Sequence, residues 1–135
     1  MRKIVLVMEI GCIIQARMGS TRLPGKVLEE LEAGKTCLEY VIQQLEDVFD
    51  IKNIVIATTF LEEDDVIEKF CVERGINVFR GQPKNVLDRY YNCAKEFSIQ
   101  NIVRITSDCP LIDPKIVLEL IKKMKTGEFD YVSNV

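Results

Sequence analysis

Short runs of aliphatic and β-branched residues alternate along this chain with segments in which apolar residues recur at helical spacing. The runs are residues 10–15, 53–58, 76–79 and 102–106. Strands that are apolar along their whole length are typical of a parallel sheet that is buried on both faces. The alternation therefore predicts an α/β fold, a mainly parallel sheet with helices on both faces, and a last short strand at Tyr131 and Val132.

Four helices are predicted from the spacing of apolar residues. The first follows Thr36, and the other three span residues 64–73, 86–97 and 113–125. The second helix is expected to place Val66, Ile67, Phe70 and Cys71 on one face, and the third to carry Leu87, Tyr90, Tyr91 and Ala94.

Polar residues mark where three of these helices begin. Thr36 is a suitable N-cap, and Asp113 followed by Pro114 is a favourable helix start. Asp64 and Asp65 are interpreted as first-turn residues that complement the dipole of the second helix. All of these acidic residues are thereby given structural roles.

Composition limits the classes of function. The chain has 135 residues, enough for one domain spanning residues 1–135, and its net charge of −3 argues against a nucleic-acid partner. It contains no His, which excludes Ser-His-Asp and His-ligated metal chemistry.

Its five cysteines form no CxxC pair and suit reduced, buried thiols in a cytoplasmic protein. The apolar run of residues 4–14 falls short of the roughly 20 residues that a membrane span needs, so no membrane partner is expected.

The segment of residues 15–26 is the most informative in the chain. It holds two glycines, two hydroxyl residues, two arginines and a lysine, without a carboxylate. Glycines let backbone N–H groups approach phosphate oxygens, and Arg and Lys neutralise their charge, so the loop is predicted to bind a polyphosphate. It is neither a Walker A loop, because Gly19 and Gly25 are too far apart and Val27 follows the lysine, nor a GxGxxG motif. The alternative is an ordinary basic surface loop.

Five motifs carry a resemblance to a known family. Residues 13–28, IIQARMGSTRLPGKVL, resemble the nucleotide-binding signature of sugar cytidylyltransferases, which activate sialic and Kdo-type sugars with CMP. Residues 79–81, 86–90, 103–114 and 130–134 resemble the branch named after spore coat polysaccharide biosynthesis protein F. The resemblance covers residues 10–135. It implies a Rossmann-like nucleotide-diphospho-sugar transferase fold of the GT-A type, and transfer of CMP from CTP to a sugar acceptor with release of pyrophosphate.

The resemblance also implies which residues form the site. Arg17 and Lys26 would be catalytic, holding the triphosphate, and Asp108 would hold Mg²⁺. The nucleotide would be bound by Gln15, Ala16, Arg17, Met18, Gly19, Ser20, Thr21, Arg22, Lys26, Arg80 and Thr106. Arg80 and Thr106 would read the base, although Thr106 stands where Kdo-type relatives have glutamine, which weakens the expectation of cytosine preference.

Asp108 and the pair Asp88 and Arg89 each have a structural as well as a functional interpretation. Taken alone, Asp108 is better explained as a loop residue that caps local backbone N–H groups, and the basic loop together with the resemblance favours the metal ligand. Asp88 and Arg89 are either part of the site or an exposed pair on a helix. A GT-A-type glycosyltransferase is disfavoured, because residues 107–109 contain a single carboxylate where such enzymes place two.

Family members are longer than this chain, and their second portion supplies acceptor contacts, another metal-binding carboxylate and often a homodimer interface. We therefore expect a truncated domain that lacks the acceptor-binding portion, and Met8 is a candidate alternative start. The rival hypothesis is a catalytically incomplete module that binds nucleotide without turnover.

Overall fold

The structure is a computed structural model that describes residues 8–19, 25–32, 34–107 and 112–127. Its strands are β1 (Met8–Gln15), β2 (Glu30–Glu32), β3 (Lys35–Thr36), β4 (Ile54–Thr59), β5 (Asn77–Gly81) and β6 (Ile99–Thr106). Its α-helices are α1 (Cys37–Leu45), α2 (Asp65–Arg74), α3 (Val86–Glu96) and α4 (Pro114–Lys125). The predicted strand at Tyr131 and Val132 lies outside the described residues.

Four strands form a parallel sheet in the order β5-β4-β1-β6. Because β1 is central, the chain builds the sheet on one side of it with β4 and β5 and then crosses to the other side for β6. Such a reversal creates a crevice at the carboxyl ends of the strands, which is where ligands bind in open α/β sheets. The predicted α/β class and parallel sheet are confirmed.

Side chains alternate between the two faces of the sheet and build a core on each. Cys12, Ile14 and Ile56 belong to the larger cluster, which includes residues of α1, α2 and α4. Ile13 and Val55 belong to the smaller cluster with residues of α3. Helices therefore cover both faces, as predicted.

The helix starts expected from sequence are also confirmed. Thr36 and Glu39 form a capping box at α1, in which each side chain accepts a hydrogen bond from the other residue's backbone N–H. The Asp113 side chain accepts from the backbone N–H of Lys115, and Pro114 is the first residue of α4. These caps satisfy N–H groups that a helix start leaves without partners.

Three exposures differ from the predicted helix faces. Leu87 is 81% exposed and Tyr91 63% exposed, because α3 instead buries Arg89, Tyr90 and Cys93 against the sheet. Val66 is likewise exposed on α2. On a short helix, the apolar spacing fits more than one face, and these faces differ by only a few tens of degrees. Packing against the sheet decides which of them is buried.

Candidate functional site at the carboxyl edge of the sheet

Gln15 lies where three elements meet. It ends β1, opposite Ala57 of β4 on one side and Thr106 of β6 on the other. The ladder continues one residue further on both sides: Ala16 N–H donates to the Ala57 carbonyl and Ser107 N–H to the Gln15 carbonyl, each over 3.0 Å. The loop that follows β1 therefore leaves the sheet directly beside the end of β6.

A residue of α3 contacts the side chain of Gln15. The Tyr90 hydroxyl donates to Gln15 Oε1 over 3.4 Å, and the Arg104 guanidinium lies 5.0 Å from the centre of the Tyr90 ring. Burial raises the pKa of Tyr90, an effect partly offset by Arg104, so the hydroxyl stays a donor at neutral pH. Tyr90 thus positions a residue of the predicted nucleotide site and is itself buried.

The loop after β1 is fastened at Met18. The Gly25 N–H donates to the Met18 carbonyl over 2.8 Å, with Gly25 at a φ of 75° that favours glycine. Residues 26–28 continue as a 3₁₀ turn. Arg17 is exposed beside this closure. The predicted residues Ser20, Thr21 and Arg22, and the side chain of Lys26, lie outside the described part of the structure.

Asp64 fastens the same loop from the other side. Its Oδ1 accepts the Met18 N–H over 2.7 Å, and its Oδ2 accepts the Thr59 hydroxyl at the end of β4. The side chain is fully buried and makes no capping hydrogen bond to α2. Asp64 is the N-cap residue of α2, at the helix end where sequence placed it, but its hydrogen bonds to Met18 and Thr59 were not predicted. Asp65 lies in the first turn of α2, as predicted.

Arg80 is engaged by the loop after β4. Its Nε donates to the Thr59 carbonyl over 2.8 Å and its Nη2 to the Leu61 carbonyl over 2.7 Å, while Nη1 pairs with Asp65 at 2.7 Å. These contacts fix the loop that carries Asp64. The predicted role of Arg80 in reading the base stays a prediction, as does that of Thr106, which is exposed at the end of β6.

Arg89 is a buried cation next to this network. It is 1% exposed, and its Nη1 donates to the Gln82 carbonyl over 3.3 Å. Its Nε and Nη2 have no hydrogen-bond partner within the part of the chain that the structure describes. The alternative of an exposed Asp88–Arg89 pair is therefore wrong for Arg89. The absence of a side chain at Gly81 makes room for it, since a Cβ there would lie 3.1 Å from Arg89 Cγ.

Comparison with known proteins identifies the family. A family model described as Cytidylyltransferase matches residues 11–135. The chain belongs to the cytidylyltransferase family.

Individual relatives agree in sequence and in fold. The chain is 42% identical over 129 residues to the spore coat polysaccharide biosynthesis protein SpsF of Bacillus subtilis, covering 93% of this chain and 52% of that protein. It superposes with a TM-score of 0.82 on a solved cytidylyltransferase of Leptospira borgpetersenii, at 39% identity over 90% of this chain and 50% of the other.

A more distant solved structure shares the fold alone. It is that of CMP:2-keto-3-deoxy-manno-octonic acid synthetase complexed with CTP, matched with a TM-score of 0.68 at 24% identity, over 87% of this chain and 48% of the other. The nucleotide-diphospho-sugar transferase fold expected from the resemblance is therefore confirmed. The chain spans about half the length of the relatives it matches.

The predicted magnesium ligand, Asp108, lies outside the described residues. Within the described ranges, no group of three or more acidic or thiol side chains could hold a metal ion. Ser107, the residue before Asp108, is bonded to Gln15 where the loop after β1 begins. A single carboxylate at that edge, completed by phosphate oxygens and water, fits the coordination that Mg²⁺ prefers.

Asp64 and Arg89 lie close to the predicted nucleotide loop, and their signals in the sequence differ. The sequence left Arg89 open as either a site residue or an exposed residue, whereas the contacts of Asp64 were not predicted. Arg89 follows Val86 by three positions and precedes Cys93 by four, which is the spacing of a buried helical face. Asp64 stands in an acidic run and has no local signal, because the Met18 N–H that it binds is 46 positions away. Among the described residues, no helix is long and apolar enough to cross a membrane.

Proposed function

We propose that this chain binds CTP with Mg²⁺ at the carboxyl edge of its sheet and acts as a sugar cytidylyltransferase. A sugar hydroxyl oxygen bonds to the α-phosphorus of CTP, the bond from that phosphorus to the bridging oxygen of the β-phosphate breaks, and pyrophosphate leaves. The hydroxyl proton passes to solvent. The products are the CMP-sugar and pyrophosphate.

One observation carries the proposal: the loop after β1 leaves the sheet at its topological reversal, with Gln15 between Ala57 and Thr106. Membership of the cytidylyltransferase family supports it, as does the CTP that accompanies the distant relative of the same fold. The name of the Bacillus relative supports a sugar of surface polysaccharide synthesis as the acceptor, and we propose an acidic sugar.

The reaction asks the protein for positioning and charge neutralisation more than for covalent chemistry. Arg17 and Lys26 would hold the triphosphate and offset the charge that develops on the leaving pyrophosphate. The backbone of Gly19, Ser20 and Thr21 would contact phosphate oxygens. The Met18 N–H already donates to Asp64 and is therefore not available to a phosphate. Met18 would contribute by orienting the backbone of the residues beside it.

Asp108 would hold the magnesium ion, which, when bound, neutralises phosphate charge and orients the α-phosphate. Gln15, Ala16 and Arg22 would complete the nucleotide contacts, and Arg80 and Thr106 would read the base. A cytoplasmic location and a homodimer remain part of this proposal.

The second candidate function is nucleotide binding without turnover. The chain covers about half the length of its relatives, so the proposed acceptor contacts are not located within it. The two candidates share the CTP site and differ in whether an acceptor is also bound.

Calorimetry with CTP, UTP, ATP and GTP, each with and without Mg²⁺, tests the proposal. We expect CTP to bind tightest and Mg²⁺ to strengthen its binding. Equal affinity for all four nucleotides, or no binding, contradicts it. Release of pyrophosphate from CTP in the presence of a panel of acidic sugars then separates the enzyme from the binding module.

A further inference from the structure

A fully buried carboxylate joins the loop after β1 to the end of β4. Asp64 accepts one hydrogen bond from the Met18 backbone and one from the Thr59 hydroxyl, whose oxygen in turn accepts the Leu61 N–H over 3.2 Å. Both oxygens of Asp64 are therefore used to fix backbone and side-chain groups of other segments. No ion pair in the described part of the chain involves Asp64, so its charge is met by donors and by more distant cations.

The position of Met18 gives this contact its significance. The Met18 N–H is held by Asp64 and the Met18 carbonyl by Gly25, so both polar groups of one peptide residue are fixed. Arg17 precedes this residue and Gly19 follows it. Because each peptide is planar, the bond to the Met18 N–H fixes the plane that begins at the Arg17 Cα, and the bond to the Met18 carbonyl fixes the plane that holds the Gly19 N–H.

A buried negative charge beside a loop that binds phosphate would repel the ligand unless it were balanced. Arg89 is 1% exposed and lies close enough to Asp64 to be stabilised by it. Burial lowers the pKa of Arg89, Tyr90 and less strongly Asp64 oppose that shift, and the nearby Arg17 adds to it. The two arginines thus offset the negative charge of Asp64 beside the loop.

We propose that Asp64 is the positioning residue of the nucleotide loop: through Met18 it directs Arg17 and the following amides towards the triphosphate, with Arg89 balancing its charge. This inference rests on the proposed function. It assigns Asp64 no contact with the nucleotide.

Three variants of the 135-residue chain test the inference. Asp64→Ala removes both hydrogen bonds. Asp64→Asn keeps an oxygen that accepts from Met18 and an amide that can donate to Thr59, while it removes the charge. Ile67→Val, one turn along α2, is the control, because it removes a buried methyl group from the same region and leaves both hydrogen bonds of Asp64 in place. Affinity for Mg²⁺–CTP and for inorganic tripolyphosphate is measured by calorimetry well below each variant's unfolding temperature.

We expect Asp64→Ala to weaken the binding of both ligands by about tenfold or more, because misdirected contact groups lose most of their effect. Asp64→Asn is expected to stay within about threefold of the unaltered chain, and Ile67→Val to leave affinity unchanged. A normal affinity in Asp64→Ala overturns the inference. An Asp64→Asn variant as weak as Asp64→Ala also overturns it, since the charge and not the positioning would then matter.

Hydrogen exchange gives a readout that does not depend on nucleotide. The Met18 amide should be protected in the unaltered chain and in Asp64→Asn, and should exchange faster in Asp64→Ala while core amides stay protected. If Asp64→Ala does not fold, Thr59→Val takes its place, because it removes the hydroxyl that orients Asp64. Affinity in that variant should fall at least about threefold, and an unchanged affinity overturns the inference.

The two ligands separate this inference from the proposed function. Binding of tripolyphosphate without preference for CTP contradicts the proposed function and leaves the positioning role of Asp64 in place. Binding of neither ligand by the unaltered chain overturns both.

Discussion

The backbone N–H of Ser107 donates to the carbonyl of Gln15 over 3.0 Å, so the residue that follows β6 is joined to the last residue of the adjacent parallel strand β1. The segments that follow these two residues differ in charge in the sequence: residues 16–26 are cationic, and Asp108 comes directly after Ser107. Cationic groups together with a carboxylate are the chemistry that suits a triphosphate bound with a metal ion.

Replacing Asp108 by Asn should abolish the strengthening of CTP binding by Mg²⁺, because an amide is a far weaker magnesium ligand than a carboxylate. Titration of CTP with and without Mg²⁺ measures this difference. Asp113→Asn is the matched control: Asn is as good an N-cap as Asp, so both stability and Mg²⁺ dependence should persist. Identical Mg²⁺ responses in the two variants would exclude Asp108 as the ligand.

Lys26→Ala should lower CTP affinity about tenfold and any pyrophosphate release by about 10²–10³-fold, the usual effect of removing one donor that stabilises developing charge. The control is Lys52→Ala, an exposed lysine before β4 at the opposite end of the sheet. Unchanged turnover in Lys26→Ala would count against the assigned role.

Arg80→Met should destabilise the chain by about 1–3 kcal/mol, because two backbone carbonyls lose a charged donor. Asp65→Asn removes only the partner on the exposed side, at 59% side-chain exposure, and should cost at most about 1 kcal/mol. Urea unfolding measures both variants. Equal losses would show that the ion pair, and not the two carbonyls, accounts for the contribution of Arg80.

Glu63→Gln should raise the affinity for CTP about two- to fivefold at low salt. The Glu63 carboxylate lies against Gly19, where it adds negative charge beside the predicted phosphate contacts. The gain should shrink as salt rises, because Glu63 is exposed and therefore screened. Glu73→Gln, exposed at the far end of α2, should have no such effect, and equal gains in both would contradict the argument.

The buried thiols should resist alkylation at pH 8. They should also make the free energy of unfolding smaller at high pH. Burial raises the pKa of Cys12, Cys71 and Cys93 to about 12 from an ordinary value of 9.0. Between these values the unfolded chain has already lost protons that the folded chain keeps. The free energy of unfolding therefore falls with rising pH, by up to about 1.4 kcal/mol per unit for each thiol. Urea unfolding from pH 8 to 11 checks the slope, and a flat profile would contradict it.

Much of the architecture could be predicted because local chemistry and tertiary structure agree. The β-branched runs became the four parallel strands, and Thr36 and Asp113 cap the helices they precede. The predicted phosphate-binding loop begins where the central strand β1 ends, so sequence order alone placed its start at the carboxyl edge of the sheet. These features depend on neighbours within a few positions.

The remaining features depend on packing between distant segments. Ile102 belongs to an apolar run but is 44% exposed, because β6 lies at the edge of the four-stranded sheet that the structure describes. The β2–β3 hairpin was not predicted, since its strands have only three and two residues. Asp64 could not be told apart from the acidic residues beside it until its partners at Met18 and Thr59 were known.

The hydrogen bond from Gly25 to Met18 has an evolutionary consequence. Because it ties Met18 to Gly25, β1 and the turn at residues 26–28 are held together whichever side chains the segment between Gly19 and Gly25 carries. A descendant could therefore change its activated donor through that segment while inheriting an unaltered sheet.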